Sequence, residues 1–303
     1  MADGPTLVSS QIFDRALLRR RRRRAAALGP ATFLLDHVAE DMADRLAAVL
    51  RRFDLAVDLG TPGEAVRKAL ARLESVGKVV AADVMPDAAR GEIIVAADEE
   101  ALPFGDATLD LVVSALALQF VNDLPGVLVQ VRRALKPDGL FLAALIGGDT
   151  LTELRQSFAE AESDIEGGVS PRVAPFADLR DLGALLQRAG FALPVTDVDR
   201  VTARYDSVFG LMHDLRRMGA TNALLARRRT PLKRATLQHM AEIYAQRFAD
   251  DDGRVRATFE IVWLSGWAPH PDQQQPLKPG SAKARLADAL GTREISTGEK
   301  AGK

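Results

Sequence analysis

The sequence predicts an α/β fold, a doubly wound and mostly parallel sheet of seven strands with helices on both faces. Three observations predict it. From Leu55 onward, short runs of Val, Ile, Leu and Ala alternate with stretches of helical period. Three of the early runs end at or just before an acidic residue, Asp58, Asp83 and Asp98. The first run, Leu55-Ala56-Val57-Asp58-Leu59, passes straight into a turn through Gly60, Thr61, Pro62 and Gly63. In an open α/β sheet the crevice at the carboxyl end of the first strand is where a ligand binds.

The elements follow in order. Residues 12–28 read as a helix that carries six consecutive arginines, Arg19, Arg20, Arg21, Arg22, Arg23 and Arg24. A block of that length wraps every face of a helix, so the reading adopted is a solvated helix that packs Ile12, Phe13 and Leu17 against the body. Peripheral contact with an anionic membrane surface or an acidic partner is the alternative. A second helix, 33–52, places Leu34, Leu35, Val38, Met42, Leu46, Val49 and Leu50 on a packed face. After the strand at 55–59, Val66, Leu70 and Leu73 mark a helix. Strands are expected at 78–82, 92–96 and 109–114, then a helix at 123–135, a turn at 136–139 and a fifth strand at 140–146.

Residues 147–176 interrupt the rhythm with paired glycines at 147–148 and 167–168 and prolines at 171 and 175. They are expected to form a mobile insertion over the strand ends, built on an amphipathic helix over 150–163. A helix at 178–189, a strand at 191–205, helices at 207–218 and 231–249 and a strand at 257–266 complete the fold. The expected organisation is an N-terminal helical segment (1–52), a main domain (53–268) and a disordered tail (269–303) rich in Pro, Gln, Lys and Gly.

Composition narrows the function. Of 303 residues 47% are hydrophobic, enough for a sizeable core. A net charge of −1 gives no global attraction to nucleic acid. There is no cysteine, which removes disulfides, thiolate nucleophiles and thiolate metal sites. No apolar run reaches the length of a membrane span, and no apolar signal core follows the start, so the expected compartment is the cytoplasm.

Candidate site residues come from the strand ends. An acid after the second strand can accept from ribose hydroxyls, and one after the third can receive an exocyclic amine. Three carboxylates in one crevice suit a cationic, donor-rich ligand, and S-adenosylmethionine has a sulfonium, an ammonium, ribose hydroxyls and an adenine amine. Asp58, Gly60 and Gly63 are assigned to its methionine end, Asp83 to the ribose and Asp98 with Glu99 to the adenine. Ala115, at the end of the fourth strand, completes the binding set. The opposing reading is that each Asp merely caps a strand–helix turn. Gln119 is the candidate for the methyl-transfer face, and Gly147-Gly148-Asp149 by itself reads as a tight turn after the fifth strand. No histidine stands out as a base, and no metal site is expected; His270-Pro271-Asp272 has facial-triad spacing without a second histidine. Trp263 and Trp267 are read as packing on the last strand.

Residues 97–104 (ADEEALPF), 109–114 (LDLVVS) and 135–139 (LKPDG) resemble class I S-adenosylmethionine-dependent methyltransferases of the kind that includes the malonyl-carrier-protein methyltransferases. More narrowly, Phe13-Asp14-Arg15, Val121-Asn122-Asp123-Leu124-Pro125, Gly147-Gly148-Asp149-Thr150-Leu151, Glu166-Gly167-Gly168 and Gly266-Trp267 resemble the mitochondrial complex I assembly factor five family and its bacterial relatives. That resemblance spans about residues 11–268. It implies a Rossmann-like methyltransferase fold, S-adenosylmethionine as cofactor, a substrate-facing role for Asp149, Thr150 and Arg155, and a link to respiratory complex I assembly or to hydroxylation of a protein arginine. Two departures stand out. The family's Asp-Leu-Gly-Cys-Gly-x-Gly is here Asp58-Leu59-Gly60-Thr61-Pro62-Gly63-Glu64, and its His-Trp is Gln119-Phe120. Pro62 removes a backbone donor and Glu64 is expected to put a negative side chain beside the site.

Three readings therefore stand: an S-adenosylmethionine-dependent methyltransferase acting on a protein or small-molecule acceptor, a cofactor-free assembly protein that kept the fold, and an arginine hydroxylase.

Overall fold

The computed structural model describes residues 11–85, 93–176, 178–272 and 291–292. The expected lead at 1–10, Glu92 and most of the expected tail lie outside these residues. The chain divides into two units, residues 1–269 and 270–303, and the first carries the fold.

Seven strands form one sheet: β1 (Phe53–Leu59), β2 (Val76–Asp83), β3 (Ile93–Ala96), β4 (Leu109–Ala115), β5 (Leu135–Ile146), β6 (Ala192–Tyr205) and β7 (Val255–Trp267). Their order is β3-β2-β1-β4-β5-β7-β6. The first five pair in parallel, and β7 runs antiparallel to both β5 and β6. The expected mostly parallel seven-stranded sheet is what forms.

Helices cover both faces because the parallel strands are apolar on both. Leu140, Leu142 and Ala144 of β5 face one core, with Leu34, Val38, Met42 and Leu46 of α2 (Phe33–Ala47), residues of α3 (Ala65–Leu70) and Phe158 of α5 (Thr152–Glu166). Phe141, Ala143 and Leu145 face the other core, with Val127, Leu128 and Val131 of α4 (Leu124–Ala134) and Leu182 and Leu186 of α6 (Leu179–Arg188). The strand period of two splits one apolar run between two cores. Two further helices, α7 (Val208–Arg217) and α8 (Arg234–Phe248), join the first core.

Four local expectations are corrected. The second helix ends at Ala47, and Leu50 is fully exposed. The turn at 136–139 is a bulge within β5: Leu135 pairs with Leu109 and Leu140 with Leu111. The insertion at 147–176 is tied down. Gly147 and Leu151 amides donate to the carbonyls of Glu260 and Thr258, and wholly buried Glu162 accepts from Ser170 and Arg172.

The first helix, α1 (Arg15–Ala27), buries Leu18 and Ala25 rather than Ile12 and Leu17, and Arg15 and Arg22 lie on that same face. Phe13 is buried against Phe120, and Asn122 Oδ1 accepts from the Ile12 and Phe13 amides at 2.8 Å. Those anchors set the rotation of α1, which the arginine block by itself leaves open.

The pairing of β1 with β2 brings Asp58 beside Ala81 and Leu59 beside Ala82. Gly77 permits it, since a Cβ there would meet the Asp54 carbonyl oxygen at 2.6 Å. Gly77→Ala is expected to destabilise the protein by about 1–3 kcal/mol, as overpacking does. A urea melt would show a lower midpoint with an unchanged slope.

Candidate functional site

The strand order reverses between β1 and β4, which opens a crevice at their carboxyl ends. Four hydrogen bonds shape its floor. The Gly60 amide donates to Ala82 O at 2.8 Å, and the Ser114 hydroxyl donates to Leu59 O at 2.7 Å. The Ala115 amide donates to Thr61 Oγ1 at 2.9 Å, and the Leu116 amide to Ala144 O at 2.8 Å. Thr61 thus gives the altered loop a tie between β1 and β4. Gly60 and Gly63 both take the left-handed region, with φ of 68° and 77°, where glycine is favoured. Glu64, expected to put a negative side chain beside the site, pairs its carboxylate with Lys68 one helical turn on, at 2.8 Å.

Asp58 is 1% exposed. Its Oδ2 accepts from Arg67 Nη1 at 2.8 Å, whereas the buried Oδ1 has no hydrogen-bond partner. Burial pushes the carboxyl up to about 6, against the opposing pull of the Thr61 hydroxyl and the Arg67 guanidinium. Gln119 sits in a short 3₁₀ turn, Leu118–Phe120, just after β4, and its Oε1 is also buried without a partner. These are two orphaned acceptors, one at each candidate position.

The other strand-end acids have partners. Asp83 Oδ1 accepts from the Met85 amide and Asp98 Oδ1 from the Glu100 amide, both at 2.9 Å, so both cap their own turns. Beyond that, Asp98, Glu99 and Glu100 all receive Arg15, and Asp98 also receives Arg19 Nη2 at 2.6 Å. Arg22 Nη1 lies 3.7 Å from Glu99 Oε1. Partial burial would raise the Asp98 carboxyl, but the Glu100 amide and Arg15 hold it below the usual range. Burial lowers the pKa of Arg22, with the charges of Glu99 and Asp83 acting against it.

Sequence reasoning missed these arginines. The signal was present: Arg15, Leu18, Arg22 and Ala25 are spaced as one helical face. Arg20, Arg23 and Arg24 remain exposed.

The acceptor-side candidates lie at the end of β5. Arg155 Nη2 donates to the Gly148 and Thr150 carbonyls at 2.9 and 3.1 Å, so it holds the turn. Thr150 Oγ1 accepts from the Glu260 amide. Asp149 is exposed and pairs with Arg200, which also reaches Glu260. Of these, Gly148, Asp149, Arg200 and Glu260 border a cleft of about 770 Å³ that Phe176, Leu179 and Val198 also line, whereas Thr150 and Arg155 do not. His37 and His239 pair with exposed acids. Among the described residues no group of three or more His, Cys, Asp or Glu could hold a metal ion.

The raised Asp58 pKa has a sign. A carboxyl raised on folding contributes stability that is full below its unfolded value near 4 and is lost as pH rises through about 6. Relative to Asp58→Asn, the wild type is expected to lose on the order of 2–3 kcal/mol between pH 4 and pH 7. Urea melts of both proteins across that range measure the difference.

A methyltransferase-domain family model matches residues 57–143, from β1 into β5. The human protein named "Arginine-hydroxylase NDUFAF5, mitochondrial" is 41% identical over 91% of this chain and 83% of its own length. The zebrafish protein (Danio rerio) of the same name is 39% identical over 91% of this chain and 89% of its own. A Xylella fastidiosa malonyl-[acyl-carrier protein] O-methyltransferase is 32% identical over 85% of this chain. A solved Bacillus halodurans structure described as a methyltransferase aligns with a TM-score of 0.52 at 19% identity, over 76% of this chain and 98% of that one, and shows the shared fold. With the class I methyltransferase sheet and about 40% identity over nine-tenths of its length, the chain belongs to the NDUFAF5 arginine-hydroxylase family.

Proposed function

We propose that this protein is an S-adenosylmethionine-dependent enzyme of the methyltransferase type whose acceptor is an arginine side chain of a protein, acting in respiratory complex I assembly. A cytoplasmic location belongs to the same proposal. One observation carries the cofactor half: Asp58 presents a buried, unpartnered carboxylate oxygen at the left-handed Gly60 turn. A buried acceptor without a partner costs about 1–3 kcal/mol, and a cationic or ammonium-bearing ligand relieves that cost. The donor chemistry of the methionine end therefore fits. The acceptor half rests on the relatives' name and on the complex I resemblance of the sequence.

The bound cofactor would supply an electrophilic methyl group or, in the hydroxylase reading, a role the relatives' name leaves open. This chain's own residues supply position. Asp58 would hold the ammonium end. Gln119 Oε1, buried and unpartnered after β4, would accept an N–H from the acceptor guanidinium and fix its orientation. Thr61 keeps β1 and β4 together, so the two acceptors keep their spacing.

Calorimetric titration with S-adenosylhomocysteine and S-adenosylmethionine tests the cofactor half. Micromolar binding is expected, weakening as pH falls through about 6, because protonated Asp58 no longer attracts a cation. Asp58→Asn is expected to weaken binding about tenfold, or ~1.4 kcal/mol. No binding at millimolar ligand would sink the reading. Mass spectrometry of complex I subunits from cells with and without the gene tests the acceptor half. Gain of a methyl group supports methyl transfer, gain of one oxygen supports hydroxylation, and an unmodified arginine set excludes both.

A further inference from the structure

The nucleoside side of the crevice is filled by the protein itself. Glu99 is 3% exposed, and its side chain lies over the Gly60 turn, where an added Cβ would meet Glu99 Cγ and Oε1 at 2.7 Å. Glu99 stays there because two guanidiniums of α1 neutralise it, Arg15 directly and Arg22 at 3.7 Å. The Arg22 side chain is 9% exposed, so both charges are out of water and each depends on the other. Arg15 and Arg19 also occupy Asp98, the acid assigned to the adenine.

We propose that α1 is an electrostatic latch: Arg22 and Arg15 hold Glu99 over Gly60, so that α1 and the nucleoside of the cofactor compete for one volume, and Glu99 blocks the adenine instead of receiving it. The inference rests on the cofactor reading above and adds how the site is regulated. The nucleoside can run from the methionine end at the Gly60 turn to Asp98 only after Glu99 swings away, and Glu99 can leave only if Arg22 follows or loses its counter-charge. The reason is steric at Gly60 and electrostatic at Arg22. Binding is therefore coupled to release of α1, and the apparent affinity is lowered by the fraction of molecules that are latched. The segment that leads into α1 is anchored apart from the acids, at Asn122 and Phe120.

The test compares adenosine and S-adenosylhomocysteine on the intact chain, wild type against Arg22→Met and against Glu99→Ala. Arg22→Met leaves Glu99 with Arg15 as its remaining partner, and Glu99→Ala keeps the proposal testable where that variant fails to fold. Adenosine lacks the carboxylate that an arginine could bind, so it isolates competition for the nucleoside volume. The latch predicts that either variant binds adenosine at least about tenfold more tightly than wild type. It also predicts faster amide exchange along Arg15–Ala27 when S-adenosylhomocysteine is bound to wild type. Unchanged or weaker adenosine binding in a folded variant, or slower exchange of α1 on binding, overturns the latch and makes α1 a cap on bound cofactor. If neither nucleoside binds wild type or variant, the cofactor reading and the latch fall together, an outcome distinct from failure of the latch alone.

Discussion

Five carboxylates, Asp58, Asp83, Asp98, Glu99 and Glu100, crowd the carboxyl ends of three neighbouring parallel strands, and their mutual repulsion is the constraint on which the site depends. Charges removed from water need partners or they protonate. The chain uses both solutions. Asp58 takes one arginine and keeps a raised pKa. Asp98, Glu99 and Glu100 take the arginines of α1. The helix that precedes the sheet in sequence thus completes the sheet's charge balance, and its six-arginine run stops being a generic basic block.

The altered loop after β1 keeps glycine at its two left-handed positions. Glycines are needed only where φ is positive or where backbone and ligand approach closely. Gly60 and Gly63 hold the positive-φ positions, and Pro62 stands between them. Thr61 accepts the Ala115 amide and so fastens the loop to β4, a contact that depends on its hydroxyl. Glu64 turns onto its own helix and pairs with Lys68. The side chain that lies over the Gly60 turn is Glu99, which is contributed by a different strand end.

Much of this was legible beforehand. Alternating strand and helix periods define the parallel sheet, because strands covered on both faces must be apolar at every position, as Phe141 to Leu145 are. The strand-end acids marked the crevice for the same geometric reason. The pairing within 147–176 was not legible. A glycine- and proline-rich stretch reads as mobile, but Glu162, buried in α5, folds Ser170 and Arg172 back onto the helix. Arg155 looked like an acceptor-side residue, yet its partners are carbonyls of its own turn, which spacing does not reveal.

By itself the sequence determined the fold class, the position of the crevice and the residues at its rim, since these follow from local period and from where strands end. Only the tertiary structure decided which side of α1 faces inward. A run of Arg19 to Arg24 offers every rotation a similar surface, and the choice rests on contacts distant in sequence. Those contacts are Phe13 on Phe120, the Asn122 side chain on the Ile12 and Phe13 amides, and Leu18 and Ala25 buried beside Arg15 and Arg22. They bring guanidiniums to acids more than 75 residues away. Charge pairing over such separations depends on how the elements pack, and no one-dimensional pattern encodes it.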